Sequence, residues 1–141
     1  MAVTITTLQK EVRNGIEYGS IKVHYLTADV VGGSNTIILP APGAGKVLLL
    51  TEIPVIKLTV VTTPFTTANN AIVKYENDTE FYYLYNYLIN YAFSKTKLML
   101  PTTTDELSNM ENQRIAISIP SATGGGTSTL DFYISYKIIN L

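Results

Sequence analysis

Ile37-Ile38-Leu39-Pro40-Ala41-Pro42-Gly43-Ala44-Gly45-Lys46-Val47-Leu48-Leu49-Leu50 places two apolar runs on either side of a rigid, turn-rich joint. Ile37 to Leu39 is short, apolar and partly β-branched, which predicts the end of a strand. Pro40 and Pro42 fix φ and lack an N–H, so a ladder has to stop there. Gly43 and Gly45 open backbone angles closed to other residues and let the chain reverse. Lys46 to Ile53 predicts a second strand, with Val47, Leu49, Thr51 and Ile53 on one face and Leu48, Leu50 and Glu52 on the other. Both faces start apolar, so this strand begins deep in a core and emerges toward Glu52.

The glycines of the joint do not make a phosphate-binding loop. That motif needs a Gly, four residues and then Gly-Lys-Ser/Thr opening a helix, because the hydroxyl holds magnesium. Pro40 stands at the first glycine position and Val47 at the hydroxyl position, and a strand-like run follows. The joint is therefore expected to be a tight turn between core strands.

Working outward, the chain has 141 residues, which suits one domain. It holds no cysteine and a single histidine, His24. This excludes thiol chemistry, thiolate metal sites and a disulfide framework, and leaves cupin-type metal sites and Ser-His-Asp catalysis without their residues. His24 is expected on the polar face of a strand. The formal charge is −1 with no basic run, so nucleic acid is not an expected partner. Met1 to Thr7 lacks the pattern of a signal peptide, and no apolar run approaches the ~20 residues of a membrane span. A soluble protein made in a cytoplasm is expected, without membrane or cofactor.

Thr, Val, Ile and Tyr are abundant, and Gly or Pro interrupts them every ten residues or so, which favours many short strands. Val3 to Thr7 predicts an edge strand. Lys10 to Gly19 is polar and carries Gly15 and Gly19, so it reads as a loop or arm. Residues 1–20 are thus an N-terminal arm or edge segment, and residues 21–141 a domain. Ile21 to Leu26 alternates as a strand, and Gly32 to Asn35 is a turn. Pro54, inside a long apolar run, predicts a bend or break before a strand over Val55 to Val61. Thr62 to Asn70 reads as a loop and Ala71 to Tyr75 as a strand.

Phe81 to Phe93 fits both a strand with alternate aromatics and a helical stripe of Phe81, Leu84, Tyr85, Leu88 and Ala92; tyrosine density favours the strand. Lys97 to Leu100 is a strand ended by Pro101. Thr102 to Glu111 is a long loop or a helical turn, and Arg114 to Ile119 is a strand. Ser121 to Ser128, with Gly124-Gly125-Gly126, predicts a mobile surface turn. In Leu130 to Leu141, Leu130, Phe132, Ile134, Tyr136 and Ile138 share one face. So apolar a strand belongs in the middle of a sheet, since a long apolar edge invites aggregation. Eight to ten strands without repeats or alternating helices predict an all-β, antiparallel two-sheet jelly-roll sandwich.

Two stretches carry a resemblance: Pro40-Ala41-Pro42-Gly43-Ala44-Gly45-Lys46-Val47, and Gly124-Gly125-Gly126-Thr127-Ser128-Thr129-Leu130-Asp131-Phe132-Tyr133-Ile134-Ser135-Tyr136-Lys137-Ile138-Ile139. Together they resemble small tailed-phage virion structural proteins with a TNF-like jelly roll, over roughly residues 36–141. The resemblance implies a symmetric homo-oligomer, commonly a homotrimer. It implies a capsid decoration, head-fibre or tail-associated role in the virion, and contact with other virion proteins such as capsid. The N-terminal portion and Phe81 to Phe93 depart from that pattern.

Tyr82, Tyr83, Tyr85, Tyr87 and Tyr91 are the candidate subunit interface. Aromatics on both faces of one strand exceed what a small core absorbs, and tyrosine suits interfaces and sugar-binding surfaces. Ordinary core and a ligand platform are the other readings. Glu76, Asp78 and Glu80, and Asp105, Glu106 and Glu111, match no calcium loop and read as solvated faces. No catalytic or metal constellation stands out, so no enzyme is expected. The functional expectation is a non-enzymatic virion structural protein. The alternative is a carbohydrate- or receptor-binding module of a tail or fibre.

Overall fold

Asn14 and Gly15 both take positive φ, 51° and 78°. They turn the chain back in two residues, in the left-handed geometry that matches the twist of a hairpin. Strand β1 (Thr4–Arg13) enters this turn and β2 (Ile16–Tyr25) leaves it. Lys10 to Gly19, expected as a loop or arm, is therefore the closed end of a hairpin. Its polarity reflects exposure rather than irregular backbone.

The structure is a computed structural model and describes residues 3–52, 54–59, 63, 65–66, 71–75, 80–84, 96–98 and 104–141. After β2 comes a short helix, α1 (Thr27–Val31), whose Asp29 carboxylate accepts from the Leu26 N–H at 3.1 Å and closes the first turn. Then follow β3 (Ser34–Leu39), β4 (Lys46–Leu50), β5 (Val55–Thr59), β6 (Phe65–Thr66), β7 (Ala71–Tyr75), β8 (Glu80–Leu84) and β9 (Thr96–Leu98). Helix α2 (Thr104–Asn109), β10 (Ile115–Ile119), β11 (Thr123–Gly124) and β12 (Thr129–Asn140) complete the described chain. Two of the twelve described strands are only two residues long, which accounts for the excess over eight to ten. Among the described residues no helix is long and apolar enough to cross a membrane.

The protein is an all-β sandwich of antiparallel sheets. The first sheet runs β1-β2-β12, and the far edge of β12 is shared. Its Thr129–Tyr133 half pairs with β5 and its Tyr136–Asn140 half with β4. The break between β4 and β5 falls just before Pro54, so the strand expected to reach Ile53 stops at Leu50. The second sheet runs β3-β10-β7-β8-β9, and β11 and β6 form a small third pair. The Pro40–Lys46 joint carries the chain from the second sheet to the first. Asn112 pins it, its side chain accepting from the Gly43 N–H at 2.9 Å and its N–H donating to the Lys46 carbonyl at 2.8 Å.

One apolar core lies between the sheets. Leu130, Phe132 and Ile134 of β12 are buried on the inward row, as expected, against Ile115 and Ile117 of β10 and Val73 of β7. Phe132 meets Tyr25 edge-on, ring centroids 5.8 Å apart. Tyr75 on β7 donates its hydroxyl to the Leu48 carbonyl on β4, a hydrogen bond that ties one sheet to the other. Burial pushes both phenols, Tyr25 and Tyr75, well above the ordinary tyrosine range.

The glycine-rich segment is anchored more firmly than its composition suggests. Gly124, Gly125 and Gly126 all take positive φ, but Gly125 and Ser128 are buried. A Cβ on Gly125 would run into the Phe65 ring, and the Ser128 hydroxyl donates to the Thr63 carbonyl at 3.0 Å. Ser121, Thr123, Gly124, Gly126 and Thr127 are exposed, so the segment is a surface turn as expected, fastened over Phe65 through Gly125 and Ser128.

Glu80–Leu84 is extended, in keeping with the strand reading of that stretch. Residues 85–93 lie outside the described residues, as do 60–61, 99–100 and most of the expected 62–70 loop.

Candidate interaction surface

Alternate residues of the first sheet point away from the core, and the strand register lines them up in rows. His24, Asp131 and Lys57 form one row; Lys22, Tyr133 and Val55 the next; Tyr18, Lys137 and Leu49 a third. Each row has its own chemistry.

His24 sits on the polar face of β2, where the alternation of Ile21, Val23 and Tyr25 put it. Its Nδ1 lies 2.5 Å from Oδ1 of Asp131, whose side chain is only 8% exposed against 31% for the imidazole. The pair satisfies a carboxylate that would otherwise be buried alone. Among the described residues no three His, Cys, Asp or Glu side chains gather so as to hold a metal ion. One row down, the Lys22 ammonium stands 5.8 Å from the Tyr133 ring centroid.

The lower part of the face holds two adjoining depressions divided by Tyr18. The first, about 220 Å³, is polar. Glu11 organises it, accepting from Gln9 Nε2 at 3.3 Å and pairing with Arg13 Nε at 3.2 Å. The Arg13 guanidinium stacks 4.4 Å from the Tyr18 ring centre. On the opposite wall the Ser135 hydroxyl donates to Glu52 at 2.9 Å. The second depression, about 480 Å³, is an apolar groove lined by Tyr18, Leu49, Leu107 and Ile139, with Thr51 and Lys137 at its rim. Leu49 and Ile139 are outward positions on their strands, and α2 sets Leu107 beside them.

A third depression, about 230 Å³, lies where the inward row of β12 runs past the core. The Tyr136 ring lies over Gly19, where a Cβ would come within 2.5 Å of it. Burial, with Glu17 nearby, raises the Tyr136 phenol. Lys10 and Glu17 pair at 3.1 Å, and that hydrogen bond raises the Lys10 ammonium. Pro40, Ala41 and Pro42 form the far wall.

Of the predicted interface tyrosines, Tyr82 and Tyr83 belong to β8, which has β7 on one side and β9 on the other. Tyr85, Tyr87 and Tyr91 lie outside the described residues. Among the described residues an apolar groove is formed by Tyr18, Leu49, Leu107 and Ile139, which the sequence did not single out. The available signal was apolar residues on both faces of Lys46 to Leu50 and at Ile138-Ile139, where one sheet face should be polar.

Comparison with protein-family models, curated proteins and solved structures finds no match to this chain.

Proposed function

We propose that the chain is a non-enzymatic virion structural protein, of the capsid-decoration or head-fibre kind, that forms a homo-oligomer and attaches to other particle proteins such as capsid. The observation that carries the self-association is the apolar groove on the outer face of an otherwise well-packed sandwich. Its lining side chains are apolar and half-buried on a sheet face that is otherwise polar, which suits a surface that a second copy completes. A second copy would bury Leu49, Leu107 and Ile139 and leave Thr51 and Lys137 at the rim, the usual apolar centre and polar border of an interface.

The virion part of the reading rests on the Pro40–Val47 joint and the Gly124–Ile139 segment and their resemblance to tailed-phage proteins. The strand order lends support to a TNF-like jelly roll, with β12 between β2 and β4 in one sheet and β10 between β3 and β7 in the other. A homotrimer is the assembly that resemblance implies.

Light scattering on the purified chain tests the assembly. A mass near three times the 15.5 kDa protomer that falls to one protomer in Leu49→Asp supports it, and a monomeric parent protein overturns it. Co-sedimentation with capsids then tests attachment.

The polar depression favours a second reading, a carbohydrate- or receptor-binding module. Gln9, Glu11, Ser20, Glu52 and Ser135 offer donors and acceptors beside Tyr18, the combination that sugar recognition uses. A glycan array separates the two, since a decoration protein binds particles and no glycan.

A further inference from the structure

We propose that β1 is a second self-association surface, on which two copies pair edge to edge about a two-fold axis and join their first sheets into one. Among the described residues nothing pairs with the outer edge of β1 between Ile5 and Val12. Ile5, Leu8 and Val12 are 41%, 53% and 68% exposed.

The register of the hairpin fixes which backbone groups this edge offers. In a two-residue hairpin the pair flanking the turn, here Arg13 and Ile16, exchanges hydrogen bonds, and alternate pairs follow. Gln9 and Glu11 therefore aim their N–H and C=O groups at β2, while Lys10 and Val12 aim theirs outward. Leu8 is the extra residue of a bulge, because the register shifts between Thr7 and Gln9. The bulge moves the phase by one residue, so beyond it the outward groups are those of Thr7 and Ile5.

Ile5, Thr7, Lys10 and Val12 read the same in both directions, with gaps of two, three and two residues. An antiparallel second copy meets the whole set at once. Ile5 faces the partner's Val12, and Thr7 faces the partner's Lys10. All four side chains lie on the inward side of the sheet, since their β2 neighbours are Val23, Ile21, Gly19 and Glu17. Apolar thus meets apolar, and the faces agree. On the outward side Glu11 meets the partner's Thr6. No like charges stand opposite each other, which would oppose pairing. A strand without the bulge could not bring Ile5 and Val12 onto one face in that register. This surface is separate from the outer-face groove, so the two associations fail or succeed independently.

The chain has no cysteine, which makes cross-linking a clean test. Opposed residues of an antiparallel pair lie about 5.5 Å apart at Cα, within disulfide reach. Ile5→Cys with Val12→Cys is expected to give a covalent dimer of twice 15.5 kDa on mild oxidation. Either substitution alone gives none, because like residues sit about 23 Å apart across the axis at the usual rise per residue. Adding Thr7→Pro to the double variant removes an outward N–H while leaving the β1–β2 ladder intact, and abolishes the cross-link without changing the far-ultraviolet circular dichroism. Adding Leu49→Asp leaves the cross-link in place even where it dissolves the outer-face oligomer. No cross-link in the double variant, equal cross-linking by the single variants, or persistence with Thr7→Pro overturns the proposal.

Discussion

β1 and β12 flank the same strand, β2, one along each edge, yet their side chains live in different worlds. On β12 Leu130 and Phe132 are fully buried and Ile134 is 1% exposed, whereas Val12 on β1 is 68% exposed. β12 alternates apolar and polar residues over most of its length, whereas β1 carries apolar residues only at Ile5, Leu8 and Val12, yet composition alone does not set their burial. The number of neighbours does. β12 has strands on both edges and the second sheet over its inward row. Among the described residues β1 has one neighbouring strand and no second layer over its apolar residues. The extended backbone of β1 is therefore set by its hairpin turn, and that of β12 by packing.

The sharpest way to break the comparison is to truncate one side chain on each strand. Phe132→Ala removes a ring packed edge-on against Tyr25 and should cost about 3–5 kcal/mol in denaturant unfolding. A loss below about 1 kcal/mol would mean that β12 is not the packed strand. Next comes Gly125→Ala, where positive φ and the Phe65 ring both oppose a Cβ. A loss of about 1–3 kcal/mol is expected by thermal unfolding; an unchanged melting temperature would return that segment to a free surface turn.

A third effect is graded by pH. The buried Tyr25 and Tyr75 phenols titrate above their ordinary value of 10.0. The folded chain keeps protons that the unfolded chain releases, so their contribution is fully present below pH 10 and is lost as pH rises beyond it. Each phenol steepens the decline by at most about 1.4 kcal/mol per pH unit. Tyr75→Phe should therefore flatten the alkaline limb of a stability–pH curve, at a cost of about 1 kcal/mol at neutral pH for the lost hydrogen bond to Leu48. The smallest effect belongs to β1: Val12→Ala should shift unfolding by less than about 0.5 kcal/mol. A larger shift measured under conditions where the chain is monomeric would show that β1 packs within its own protomer.

What could be read in advance was whatever burial and backbone chemistry wrote locally. Ala71 to Tyr75 was legible to the residue because Asn69-Asn70 and Glu76-Asn77-Asp78 bracket a short, mostly apolar run in the sequence. Leu39 ended its strand because Pro40 had to end it, and Pro54 marked the break that lets β4 and β5 share one edge of β12. The N-terminal hairpin was hidden because β1 is exposed on both faces, so its polarity imitated a loop; Asn14-Gly15 was the overlooked signal. Helix α1 spans only Thr27–Val31, too short to show a helical period. Ser121 to Ser128 was legible as a turn, but glycines announce unusual φ without revealing that the Phe65 ring lies beneath Gly125. The outer-face groove was less legible still. Tyrosine density drew attention to Tyr82, Tyr83, Tyr85, Tyr87 and Tyr91, whereas Leu49 and Ile139 read as ordinary core, and only the fold sets Leu107 of α2 beside them to wall a groove.

The central place of β12 also sets a timetable. Its ladder joins Leu130 to Tyr25 and Ile138 to Leu48, partners far apart along the chain. During synthesis β2, β4 and β5 emerge first and have no common neighbour until residues 129–140 clear the ribosome. Such distant pairings form slowly, and unpaired strands are sticky while they wait. A nascent chain halted before Thr129 would therefore lack the strand that joins the first sheet, and protection of the Val23 and Leu49 amides, which face β12 in the ladder, from solvent exchange would appear only with the last dozen residues.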